Sequence, residues 1–253
     1  MLVNTEYFRE DAAYFEKHGR YDDGVKGSEY CRAWWKERKR RCLEGYSSGG
    51  LYISGYHYFY LNFYRIQLVR KTYGKVFKDK AKHARKVGER TESFPAFWDV
   101  DFAFFRVFDI AENGITNEEY KALQSFYSDI KVHPDDRTGG RHMVYLKPRG
   151  VGASFKGSSM PLRNYSLIPN SKSYFIADHS DYLNVDGIWN KFSDGRSWLN
   201  SNTVGFARTS SVKNSETDMH FRASTKNASG VEVGYMSEVM GISLNKRSEG
   251  QLA

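Results

Sequence analysis

The run HMVYLKPRGVGASFKGSSMPLRNYSL, residues 142–167, changes character twice within 26 residues. HMVYLKP, 142–148, reads as a short apolar strand, RGVGAS, 149–154, as a turn with two glycines, and SFKGSSMPLRNYSL, 154–167, as helical at its start. A strand that passes through a glycine turn into a helix can gather backbone N–H groups around an anion at the helix N-terminus. Laid on the phosphate-loop pattern GxxxxGK[ST], the octet Lys147–Ser154 matches at Gly152 and Ser154. Lys147 stands where the first glycine would be, and Ala153 stands where the lysine would be. The lysine is thus displaced to the head of the turn, from which its flexible stem can fold back over the same phosphates. Arg149 supplies a second cation. The plain alternative is a glycine-bearing turn between strand and helix that holds no ligand.

Outward from this stretch the pattern divides the chain. Downstream, SYFIADHS (173–180) reads as a strand ending in an acid, and 181–200 as a broken helix carrying Trp189 and Trp198. TVGFARTSSV, MHFRAS and GVEVGYM read as short strands. Strand, turn, helix, strand is the signature of an α/β unit with a parallel sheet, expected over 134–253. Upstream, 1–133 reads as a mostly helical, aromatic region. Helices are expected at 5–18 and 28–44, broken by SSGG at 47–50. The β-branched and aromatic run LYISGYHYFYLNFYRIQLV, 51–69, reads as two strands around Gly55. A buried helix is expected over 94–114, where Pro95 lies near the start, and an amphipathic one over 117–132 capped by Asn117. PDDRTGGR, 134–141, reads as a turn. No internal repeat is visible.

Composition bounds the function. The chain has 253 residues, 40% hydrophobic and 27% charged, which excludes a fully disordered class. No apolar run approaches the roughly 20 residues a membrane helix needs, and the charged N-terminus is no signal or transit peptide. Cys31 and Cys42 form neither a CxxC pair nor a disulfide framework, which fits a reducing, intracellular setting. Net charge is +8. The window from Arg65 to Arg90 holds ten Lys and Arg against Asp79 and Glu89, an excess equal to that of the whole chain. Such a run is either a solvated basic face or a contact for a phosphate backbone.

Other residue groups carry less. Asp99 and Asp101, two apart on a helix, point to different faces and make a poor metal pair. His57 is expected to be a hydrogen-bonded core histidine in an aromatic strand. His133, His142, His179 and His220 lack zinc spacing. Ser158 and Ser159 lack the G-x-S-x-G elbow of hydrolases. The aromatic block 56–64 is read as core before it is read as a base-stacking surface. Asp178, at the end of YFIAD (174–178), is the one internal candidate for a metal-binding strand-end acid.

Three stretches together resemble the large terminase subunits of tailed bacteriophages, ATP-driven motors that package DNA into preformed capsids. KPRGVGASF is similar to that family's deviant phosphate loop, in which the lysine sits at the head. GYHYFYLNFYRI followed by FPAFWDVDFAFF resembles the region ahead of the ATPase core, and SEVMGISLNKRSEGQLA the segment ahead of the Walker B strand. The resemblance implies a P-loop NTPase core with a parallel sheet, binding ATP and Mg²⁺. Lys147 would contact the β- and γ-phosphates, with Arg149 beside them. Gly150, Val151, Gly152 and Ala153 would offer N–H groups, Ser154 would ligate Mg²⁺, and Phe155 would close the set of loop residues at the ligand. Phosphoryl transfer relies on such positioning and charge neutralisation. Implied partners are double-stranded DNA, a portal protein, a small terminase subunit and further copies in a ring, in the host cytoplasm at the procapsid portal.

The family's Walker B strand and nuclease domain have no counterpart before Ala253, so the chain is expected to be an N-terminal fragment with weak hydrolysis or none, incomplete C-terminally. No upstream glutamine motif for adenine stands out. The competing function is a non-hydrolysing nucleic-acid-binding module built on the 65–90 stretch.

Overall fold

The computed structural model describes residues 4–69, 90–148, 150–184, 187–212 and 219–244. Most of the 65–90 basic stretch, Arg149 and the residues after Leu244 fall outside that set. A 3-10 turn, Thr5–Arg9, leads into α1, Glu10–His18. α2, Glu29–Glu44, starts on Ser28, whose hydroxyl accepts the Cys31 N–H, and carries both cysteines, buried and unbridged. A hairpin follows, β1 (Tyr46–Ser48) against β2 (Leu51–Ile53).

The next segment departs from expectation. GYHYFYLNF is a helix, α3, Gly55–Phe63, and all nine residues are buried. Strand-favouring side chains yield here to two local facts. Ser54 caps the helix by accepting the His57 N–H, and burial on every side removes the period-two contrast a half-buried strand would need. Gly55 lets α3 cross α2 closely, because a Cβ there would lie 2.3 Å from the Cys42 carbonyl oxygen. Asn62 Oδ1 accepts the Ala12 N–H, and its amide nitrogen donates to the Phe8 and Tyr58 carbonyls. Asp11 accepts from the Tyr58 hydroxyl and pairs with Arg38 at 2.9 Å.

Only the end of the 51–69 run is a strand again: β3, Ile66–Val69, antiparallel to β4, Arg90–Ser93. α4, Asp99–Asn113, follows the Pro95 bend, and α5, Asn117–Phe126, is capped not by Asn117 but by Thr116, through a reciprocal capping box with Glu119. A 3-10 turn occupies Pro134–Thr138.

α6 spans Ala153–Leu167, starting where expected and running on through Pro161. β5 (Lys172–Ala177), a 3-10 turn (Ser180–Tyr182), α7 (Ile188–Asn202), β6 (His220–Lys226) and β7 (Glu232–Ser243) complete the chain. The class is α/β, as expected, and the sheet is small and mixed. Its order is β5-β7-β6, with β5 parallel and β6 antiparallel to β7. TVGFARTSSV forms no strand, and the first part of SEVMGISLNKRSEGQLA is the second half of β7.

α6 packs against α2, α3, α7 and the sheet. Arg163 on α6 donates to the Cys42 and Leu43 carbonyls at the end of α2 and lies 3.9 Å over the Tyr56 ring. One hydrophobic core runs from Phe8 to Val239 and draws on both sides of the 133/134 division. No helix among the described residues is long and apolar enough to cross a membrane.

Candidate phosphate turn and its cleft

The expected strand at 142–148 is absent. The alternation is there, with Met143 and Tyr145 half-buried while Val144 is 85% and Leu146 90% exposed. The Tyr145 ring meets Phe104 edge-on at 4.8 Å, and the neighbouring Arg141 N–H bonds to the Ala111 carbonyl at the end of α4. The segment runs beside α4 and pairs with no strand among the described residues. Alternation can place side chains, but a strand also needs a neighbour to complete its ladder.

The glycine turn ahead of a helix is present. Gly150 (φ +89°) and Gly152 (φ +69°) are both left-handed, and no atom lies within 4 Å of where a Cβ would stand at either. Backbone conformation, and not crowding, is what calls for glycine. Gly152 caps α6, and its carbonyl accepts the N–H groups of Phe155 and Lys156 at 3.0 and 3.1 Å. The Ala153 and Ser154 N–H groups have no acceptor among the described residues, the usual state of a helix's first turn and a ready anion contact. Lys147 and the Ser154 side chain are exposed, Val151, Ala153 and Phe155 are half-buried, and Arg149 lies outside the described residues.

A residue the sequence did not single out anchors this turn. Lys156 is fully buried, its Nζ 2.6 Å from Asp101 Oδ1 on α4 and over the rings of Phe104 (5.3 Å) and Tyr145 (5.8 Å). Burial pushes the Asp101 carboxyl above its usual range, and the Lys156 ammonium works against that rise. A lysine near the start of an amphipathic helix gives no hint of such a role, because its ordinary place is solvent.

Between the turn and α4 lies a cleft of about 450 Å³, within the range of small-molecule sites. Tyr60, Ile66, Pro95, Trp98, Val100 and Phe155 supply its apolar lining, and Gly150, Val151 and Gly152 face it. Trp98 is 62% exposed, an indole available for stacking.

The remaining candidates separate. Asp99 accepts from the Tyr127 hydroxyl at 2.9 Å while Asp101 is taken by Lys156, so the two carboxylates serve different partners. Asp178 follows β5 exposed, 3.4 Å from His179. His57 is a core residue, stacked on Phe105 at 5.2 Å, but it sits on a helix and neither ring nitrogen has a hydrogen-bond partner among the described residues. Burial lowers its pKa to about 3, so it is neutral. No group of three or more His, Cys, Asp or Glu among the described residues could hold a metal. The Ser154 hydroxyl stands exposed at the turn, with no carboxylate cage beside it among the described residues.

No family model, curated protein or solved structure matches the chain. The class defined by fold and geometry is an α/β protein with a glycine turn at the mouth of a largely apolar cleft.

Proposed function

We propose that the chain binds Mg·ATP at residues 147–155 and is the ATP-binding part of a DNA-packaging motor of the large-terminase kind. The observation that carries the nucleotide reading is the meeting of two elements. Left-handed Gly150 and Gly152 present the open first turn of α6, and an apolar cleft large enough for a planar base begins at the same residues. Lys147, exposed at the head of the turn, would reach the β- and γ-phosphates, and Ser154 would take the metal. Bound Mg²⁺ supplies neutralisation of phosphate charge. The motor, its double-stranded DNA, portal and small-subunit partners and its ring of copies rest on the sequence resemblance.

Calorimetry with Mg²⁺ and a non-hydrolysable ATP analogue tests the site. Wild type should bind, and Lys147→Ala should weaken binding by about tenfold or more, the loss of one charge-assisted contact. Absence of binding in the wild type refutes the nucleotide reading and leaves the nucleic-acid-binding module in its place.

A further inference from the structure

A second cavity, of about 190 Å³, adjoins the apolar cleft. It has room for about six waters by their share of liquid volume. The two share Ile66, Gln67 and Phe155 in their linings, so they meet across those side chains. Their chemistry differs. The second cavity is lined by two cations, Arg65 and Lys191, by two carboxylates, Glu92 and Asp194, and by the amides of Gln67 and Asn190.

Balanced charge argues against a lone ion as the occupant, since each sign already has its counterpart in the wall. It suits a neutral group rich in hydrogen-bond donors. The cations are engaged within the protein. Arg65 donates to the Glu92 carbonyl at 2.9 Å and lies 4.6 Å over the Phe94 ring. Lys191 Nζ is 3.4 Å from the Gly187 carbonyl and 5.1 Å over the Phe155 ring. The carboxylates are not so served: among the described residues no hydrogen bond reaches the side-chain oxygens of Asp194 or Glu92, and Arg65 goes to the Glu92 backbone carbonyl instead. Desolvation, and then the charge of Glu92, raises the Asp194 carboxyl above its usual range, with Lys191 opposing. What the two carboxylates lack is a donor within the wall.

We propose that this cavity is a sugar subsite, in which Asp194 and Glu92 accept hydrogen bonds from the ribose hydroxyls of a nucleotide whose base lies against the Trp98–Pro95–Phe155 wall. The inference rests on the nucleotide reading above and adds to it a preference for ribose over deoxyribose. An acidic side chain on the ribose hydroxyls is a general solution to that choice. A missing 2′-hydroxyl leaves a partly desolvated carboxylate without its donor, a loss of about tenfold in affinity.

The test titrates wild type, Asp194→Ala and Glu92→Gln with a Mg²⁺-bound non-hydrolysable ATP analogue and with its 2′-deoxy counterpart, after melting curves establish that each variant folds. Asp194 is exposed on α7 and Glu92 on β4, so either variant serves if the other is unstable. Wild type should favour the ribose form by about tenfold, and Asp194→Ala should weaken that form while leaving the deoxy form nearly unchanged. Equal affinities in the wild type, or a preference that survives both substitutions, overturn the sugar subsite and leave nucleotide binding standing. No binding of either compound overturns both.

Discussion

Replacing Lys156 with methionine keeps most of the buried stem and deletes the ammonium, leaving the largely buried Asp101, at the wall of the cleft, without its counter-charge. Opposite charges 2.6 Å apart attract by about 6 kcal/mol at an effective dielectric of about 20. Desolvating both ions cancels much of that, so the pair's net worth is small, but removing one partner strands the other. The expected cost of Lys156→Met is about 3–5 kcal/mol in urea-unfolding free energy. Asp101→Asn should be comparably costly, and the double variant Lys156→Met/Asp101→Leu should recover most of the loss, because a matched apolar pair carries no desolvation penalty. The sign with pH follows from Asp101. Its folded pKa is raised, so the native state holds this proton more tightly than the unfolded chain, and protonation favours folding as pH falls. Without Lys156 that rise is larger, so the penalty of Lys156→Met should shrink as pH falls. The reasoning fails if Lys156→Met costs under about 1 kcal/mol, or if the two single costs simply add.

Three further outcomes follow from the geometry. His57 has a folded pKa of about 3 against 6.5 unfolded, so its contribution is present above pH 6.5 and lost as pH falls toward 3. The slope should be about 1.4 kcal/mol per pH unit, and His57→Leu should flatten the acid limb of stability against pH by about one proton. Ser54→Ala removes the cap of a fully buried helix and should cost about 1–2 kcal/mol by denaturant unfolding. Gly152→Ala puts a Cβ on a left-handed residue in open space, so strain alone should cost about 1–2 kcal/mol, with nucleotide affinity falling alongside it in calorimetry.

How far the sequence reaches is visible in particular residues. α2, α4 and α6 are legible because breakers (SSGG after α2, Pro95 and Gly114 around α4, the glycine turn before α6) and spacing agree with burial. The helix Gly55–Phe63 is not, since its tyrosines and phenylalanines favour strands and only the Ser54 cap, three residues before His57, points the other way. The run 142–148 reads as a short apolar strand and forms none, because pairing is a property of two segments. The glycine turn and the start of α6 were found from spacing alone. The cleft was hidden, because Tyr60, Trp98 and Phe155 come together only through the packing of α3, α4 and α6. Lys156 was hidden for the same reason, its partner lying 55 residues earlier.

α6 is fastened twice, by Lys156 to α4 near its beginning and by Arg163 to the end of α2 two turns on. Mechanically it is a beam clamped at two points, with the glycine turn as its short overhang. A ligand seated on that overhang meets a rigid seat, so little ordering entropy is spent when it arrives. Pro161 lies in α6 between the two fastenings, so a push at the turn reaches α4 directly and α2 only past the point where the helix lacks a backbone hydrogen bond.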